Sequence, residues 1–489
     1  MTTSGEPVVR TRKGAVRGIA REGSTAFLGI PYAQAPVGAL RFAAPVPPEP
    51  WEGVRDATTH GPTPQRGDAG TTLIPEPSVP GEATLNVNVF TPAADPDAGL
   101  PVLVYLHGGG YVSGSPASPW YDGAAFARDG VVTVTLSYRL GFDGFGVIED
   151  APGNRAVRDW LAALRWVQDE IHAFGGDPAK VTLAGQSAGG GAVLTLLSMP
   201  AARGLFRAAL AISPALTDIG SERAAAITRR LAAAAGVPAT REGFATVPEE
   251  RLFALQEKAG QPETGGRLGI LTSLLNEGLP WGPVIDGDIV PEPVLQALAR
   301  GEGSDVPLVL GTTDDEFTMA TDRARGVLGF LPVEIVLATL GLRGARQRAY
   351  LRANRAQRRK GNAAVLGRYA TDLVFRADIP RVAAARGTSP TWVYRFGWVS
   401  PVIGWACHCL DVPFWFDCLD APGVAAIAGD APPRGLADAL HSSAVALVRD
   451  GAPGWEAWSQ RPGTTRVFGG PPSEPDVLHD GYASVMALH

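Results

Sequence analysis

The chain has 489 residues, 45% hydrophobic and 19% charged, with a formal net charge of -6. That is material for a sizeable core, which excludes a disordered chain, and no apolar run of about 18 residues is present to form a transmembrane helix. The acidic balance gives nucleic acid no electrostatic hold. Residues Met1 to Pro7 have neither a basic nor an apolar signal segment, so no secretory leader is expected. The only three cysteines, Cys407, Cys409 and Cys418, fall within a twelve-residue stretch. They are too few and too close for a disulfide framework, which fits a cytoplasmic protein. Only four of the 43 basic residues are lysine, a bias that hints at a GC-rich bacterial genome.

In chain order, the sequence opens with short strands at Pro7–Arg12, Ala15–Ile19 and Thr25–Ile30, then a Pro-rich irregular stretch to about Pro80. Leu85–Phe90 alternates and predicts an antiparallel strand. Apolar runs then alternate with helical stretches: Pro101–Leu106, Val131–Tyr138, Lys180–Ala184 and Arg207–Ile212. The clearest helix is Ala156–Phe174, with Trp160, Ala163, Leu164, Val167 and Ile171 at helical spacing. Later strands are expected at Val306–Leu310, Trp392–Phe396 and Thr465–Phe468, and a helix at Leu436–Arg449. The alternation argues for an α/β fold with a mainly parallel sheet covered on both faces. We expect one domain, residues 1–489, with helical cap insertions at about 221–260 and 327–385.

Within this frame Gly185-Gln186-Ser187-Ala188-Gly189 links a strand to a helix. A serine on so tight a turn has its hydroxyl pushed outward, and the flanking glycines avoid clashes with strand and helix. Leu106-His107-Gly108-Gly109-Gly110 follows an earlier strand, and its bare N–H groups, with that of Ala188, can form an oxyanion hole. A base should follow Ser187 in the chain, and His408, His441, His479 and His489 do. His489 ends the chain, His441 falls in a helix and His479 in a polar tail segment; His408 lies on a loop after a strand, where a base belongs. Leu310 to Glu316 ends a strand with three carboxylates, Asp314, Asp315 and Glu316, and composition does not choose among them.

The chain resembles the type-B carboxylesterases, the group that includes bacterial para-nitrobenzyl esterases, fungal lipases and cholinesterases. The likeness rests on Gly29-Ile30-Pro31-Tyr32-Ala33, Pro36-Val37-Gly38, Arg41-Phe42, His107–Gly110, Ser137–Gly141 and Phe174–Pro178. It continues through Gly185–Gly190, Pro283–Gly287, Gly311–Glu316, and His408 with Leu410–Phe414. The resemblance implies an α/β-hydrolase fold and a triad of Ser187, Glu316 and His408, with oxyanion donors on Gly109, Gly110 and Ala188. It implies a serine carboxylesterase acting on small to medium apolar esters through an acyl-enzyme, with no cofactor and no metal. Departures are Phe317 where a glycine is usual, Pro214 after Ser213 (a serine expected to support the acid), Trp160 for a glutamine and Ala156 for a glycine. Thr84 stands where secreted members carry a cysteine of the first disulfide.

Other features have blander readings. Cys407-His408-Cys409 with Cys418 fits no standard zinc spacing and reads as packing thiols beside the base. The basic run Arg343, Arg346, Arg348, Arg352, Arg355, Arg358, Arg359 and Lys360 reads as a solvated helix face; the sharper alternative is that part of it faces the gorge and favours acidic esters. Trp405 leads the aromatic candidates for an apolar substrate pocket, with Tyr111, Trp281 and Phe414. The expected partner is a small-molecule ester, with no nucleic acid and no membrane. Carbamate or aryl-amide hydrolysis by the same triad is the alternative activity, and a non-catalytic binding module the rival class.

Overall fold

A computed structural model of the chain describes residues 6–65, 67, 73–261 and 277–488; His489 lies outside them. Its centre is an 11-stranded sheet. Across the sheet the strands run Val477–Leu478, Thr465–Phe468, Thr391–Phe396, Leu308–Thr313, Ala208–Ile212 and Gly176–Gln186. They continue with Leu100–Leu106, Val132–Leu136, Asn86–Thr91, Ser24–Pro31 and Ile19–Arg21. Pairing is parallel from Thr465–Phe468 through to Val132–Leu136 and antiparallel at both margins. Three further strands, Val8–Arg10, Ala15–Arg17 and Val54–Asp56, form a small separate sheet.

The strand period sorts side chains onto two faces. Val102, Val104 and Leu106 join one buried cluster, with Val181, Leu183 and Leu310 from neighbouring strands. Leu103 and Tyr105 join the other, with Ala184, Leu210 and Val309. Helices Arg155–Glu170 and Ala188–Leu197 contribute buried side chains to the first cluster, and Arg434–Asp450 to the second. With both faces covered, the central strands are continuous apolar runs.

Most elements begin or end within a few residues of the sequence expectation. The strand expected at Val306–Leu310 runs later, Leu308–Thr313, so it delivers the acidic triplet directly from its end. The expected helix to Phe174 stops at Glu170 and tightens into a 3-10 turn over Ile171–Phe174. Segment 221–260 holds helices Ser221–Ala235, Arg241–Ala245 and Glu249–Gly260. Segment 327–385 holds a chain of short helices, among them Val333–Thr339, Gly344–Ala353, Arg355–Lys360 and Asn362–Thr371. No helix among the described residues is long and apolar enough to cross a membrane.

Candidate active site

Ser187 sits between strand Gly176–Gln186 and helix Ala188–Leu197 with φ 58° and ψ -122°. That left-handed conformation is costly for a non-glycine residue. The surroundings hold it: Ser187 donates its N–H to Ile212 O at 2.9 Å, and its carbonyl accepts from Ala215 and Gly191. The turn closes so tightly that a Cβ on Gly185 would lie 2.4 Å from Gly189 O, and one on Gly189 2.1 Å from Leu106 O. The small flanking residues are therefore a steric requirement of the elbow.

The acid and the histidine arrive from adjacent strand ends. Asp315 N–H donates to Ala406 O and His408 N–H to Glu316 O, both at 2.9 Å, so the two loops are tied backbone to backbone. His408 Nε2 then lies 3.0 Å from Ser187 Oγ, and its Nδ1 lies 2.5 Å from Glu316 Oε2. The other Glu316 oxygen accepts from the Thr313 N–H at 2.9 Å. The three carboxylates have separate partners: Asp314 pairs with Arg376 and Arg395, each at 2.7 Å, Asp315 with Arg368 at 3.0 Å, and Glu316 alone with the imidazole.

Burial works against a charged His408, but Cys409 and Glu316 outweigh it and hold the imidazole pKa well above its ordinary value. Burial also pushes up the Cys409 thiol. Gln186 Nε2 sits 3.2 Å from both His408 Nε2 and Cys409 Sγ, so its amide faces the same ring edge as the serine. Phe317 and Phe375 pack on the imidazole, with ring centroids 5.4 and 4.9 Å away. Behind the ring, Asp411 accepts from Tyr394 Oη and Trp415 Nε1, and burial beside Glu316 pushes its carboxyl up to about 7.

On the opposite side, the glycine loop is fixed by Val112 and Ser113, which both donate to Gly109 O. Among the described residues no acceptor faces the N–H groups of Gly109, Gly110 or Ala188. His107 stacks on Tyr138 at 4.4 Å, and burial lowers its pKa to about 4. It is a packing group whose Nδ1 lies 2.9 Å from Gly108 O.

A cavity of about 270 Å³ opens over Ser187 and His408. Its walls include Leu73, Ile74, Ala215, Leu279, Phe317 and Phe375, with Glu76 as a carboxylate among them. Trp405, Tyr111, Trp281 and Phe414 are not among its lining residues. Tyr111 is fully buried against Phe145 and Trp160, Trp281 packs on Phe142, and Phe414 on Phe396 and Trp398. Trp405 lies beneath the Lys360 ammonium at 4.5 Å. The basic run from Arg343 to Lys360 is exposed, and none of it lines the cavity. Ser213 Oγ is buried without a hydrogen-bond partner and does not reach Glu316. His441 is buried, with Nδ1 near Trp415 O and Nε2 near Asp129, whereas His479 is exposed beside Asp480. Cys418 donates to Trp120 O at 3.6 Å.

Sequence reasoning missed Glu76, Phe317 and Phe375 as wall residues. Phe317 had a signal, since it replaces a usual glycine; Glu76 had none, because the Pro-rich stretch has no period to place it.

A serine, an imidazole and a carboxyl aligned at the carboxyl edge of a mostly parallel sheet place this molecule among the hydrolases of the α/β-hydrolase fold. The carboxylesterase family model matches residues 5–424, and the chain belongs to that family. It is 35% identical to the para-nitrobenzyl esterase of Bacillus subtilis, across 92% of this chain and 91% of that protein. It is 33% identical to the phenmedipham hydrolase of Pseudarthrobacter oxydans, across 91% and 90%. A solved carboxylesterase from Geobacillus stearothermophilus superposes with a TM-score of 0.83 at 34% identity, covering 98% of this chain and 99% of that one. The protein is thus a carboxylic ester hydrolase.

Proposed function

We propose that the protein hydrolyses small to medium apolar carboxylic esters with Ser187 as nucleophile, His408 as general base and acid, and Glu316 as the orienting acid. The observation that carries this reading is the unbroken line Ser187 Oγ, His408 Nε2, His408 Nδ1 and Glu316 Oε2. Ser187 attacks the ester carbonyl as His408 Nε2 takes its proton; Glu316 keeps the ring oriented and stabilises the imidazolium. The N–H groups of Gly109, Gly110 and Ala188 receive the developing oxyanion. His408 then protonates the leaving alcohol and activates the water that releases the acid. No step calls for a metal or cofactor. The three free thiols support a reducing, cytoplasmic setting.

The test is release of p-nitrophenol from p-nitrophenyl acetate through octanoate, beside Ser187→Ala. The expected result is turnover in the parent and a loss of roughly 10⁶-fold in the variant. Equal turnover in both would remove the serine mechanism. A folded parent with no turnover and no labelling by an organophosphate would favour a binding module.

A further inference from the structure

Glu76 is the acidic group in the cavity that the hydrolytic mechanism leaves unused. It lines the same cavity as Ser187 and His408, and its Oε2 is buried without a hydrogen-bond partner among the described residues. Its place is built. Gln65, 1% exposed, donates from Nε2 to Glu76 O at 2.7 Å and accepts at Oε1 from the Gly114 N–H at 2.6 Å. One side chain therefore clamps the Glu76 backbone to the end of the glycine loop. Among the described residues no lysine or arginine lines the cavity, and none pairs with this carboxyl.

A carboxylate held largely out of water, with one oxygen unpartnered and no cation beside it, is costly, and it gains most from a donor that brings both charge and an N–H. The substrate is what enters this space. We propose that Glu76 is a specificity-determining residue that selects esters carrying a protonated primary or secondary amine, its carboxylate accepting the ammonium N–H while Ser187 attacks the ester. This rests on the ester-hydrolase reading and names a substrate class within it. A quaternary ammonium supplies charge without a donor and should satisfy the site only in part; a neutral ester leaves it unsatisfied.

Burial raises the Glu76 carboxyl to about 7, with the Ser113 hydroxyl beside it drawing it partly back. The buried phenols of Tyr121 and Tyr138 feel its charge, and His408 and Cys409 line the cavity with it. Both tyrosines stay neutral because burial holds their pKa well above the ordinary value. The preference for amines should therefore grow as pH rises through about 7, where Glu76 ionises. His408 titrates in every substrate alike and cancels in a ratio.

The experiment compares kcat/KM for three p-nitrophenyl esters of one shape: isonipecotate, its N,N-dimethyl quaternary derivative, and cyclohexanecarboxylate. The alcohol-side counterparts, piperidinylmethyl and cyclohexylmethyl acetates, are run in parallel. The expected result is an amine-over-neutral ratio of about ten-fold or more in at least one set, with the quaternary ester between. That ratio should collapse in Glu76→Gln and survive in Glu76→Asp. A ratio near one in both sets, or one unchanged in Glu76→Gln, overturns the proposal while leaving the esterase intact. No turnover of any ester overturns the ester reading itself and this proposal with it. Should Glu76→Gln fail to fold, the pH series on the parent decides: a ratio flat across pH 7 overturns the assignment.

Discussion

The acidic triplet at residues 314–316 and the arginine-rich helices at 343–360 are both dense in charge, and they are built in opposite ways. Each carboxylate of the triplet has its own partners in or near the core, the arginines for Asp314 and Asp315 and the histidine for Glu316. The eight cations of the helical run are exposed, and their contacts are peripheral: Arg358 with Glu334, Arg343 on Ala338 O, Arg346 on Leu488 O, Lys360 over Trp405. Charge buried among fixed partners positions atoms, whereas charge in water does so weakly. The triplet can therefore hold a catalytic geometry that the run could not.

Three substitutions sharpen that contrast. The largest effect is expected from Glu316→Gln, which keeps the shape but removes the partner of His408 Nδ1; kcat should fall about 10⁴-fold. Because Glu316 helps to raise the His408 pKa and, in the proposed mechanism, only the neutral imidazole acts as base, the rising limb of kcat/KM against pH should also move to lower pH in this variant. A limb that stays in place would mean that Glu316 does not set the charge of the ring.

Asp314→Asn comes next and should act on stability. It removes the carboxylate shared by Arg376 and Arg395, which are 1% and 13% exposed, while Arg376 keeps Asp372 and Arg395 keeps Glu474, a change expected to cost about 1.5–3 kcal/mol in urea unfolding. Burial alone would raise the Asp314 pKa, but Arg395 and Arg376 hold it below the ordinary carboxylate range. A depressed native pKa contributes stability above the unfolded value and loses it as pH falls through the native one. The penalty should therefore fade below pH about 4. The smallest effect belongs to Arg358→Ala: its pair with Glu334 is about half exposed on both sides, and unfolding should shift by less than about 1 kcal/mol. A comparable loss in the two variants would break the contrast.

Much of this was legible in the chain because local chemistry fixes it. The strand-to-helix serine is readable since Gly185 and Gly189 have no room for side chains, and the paired faces of the sheet follow from period-two runs such as Val102 to Leu106. The choice of Glu316 over its neighbours came from the family resemblance, because the partners that separate the three carboxylates lie far away in sequence at Arg368, Arg376, Arg395 and His408. The substrate walls were hardest to read. An aromatic residue is equally suited to core and pocket: Tyr111 turns into the packing around Trp160, while Phe317 and Phe375, from the helical side, close on His408.

Ser187 and His408 are 221 residues apart in the chain, and His408 and Glu316 are 92 apart. The strands and helices between them must be seated before the three atoms can meet, and contacts of such span are closed late because loop entropy opposes them. Catalytic turnover is therefore a stricter gauge of native assembly than helical content. During refolding, circular dichroism would recover ahead of esterase activity, and the lag between them would time the closing of the sheet.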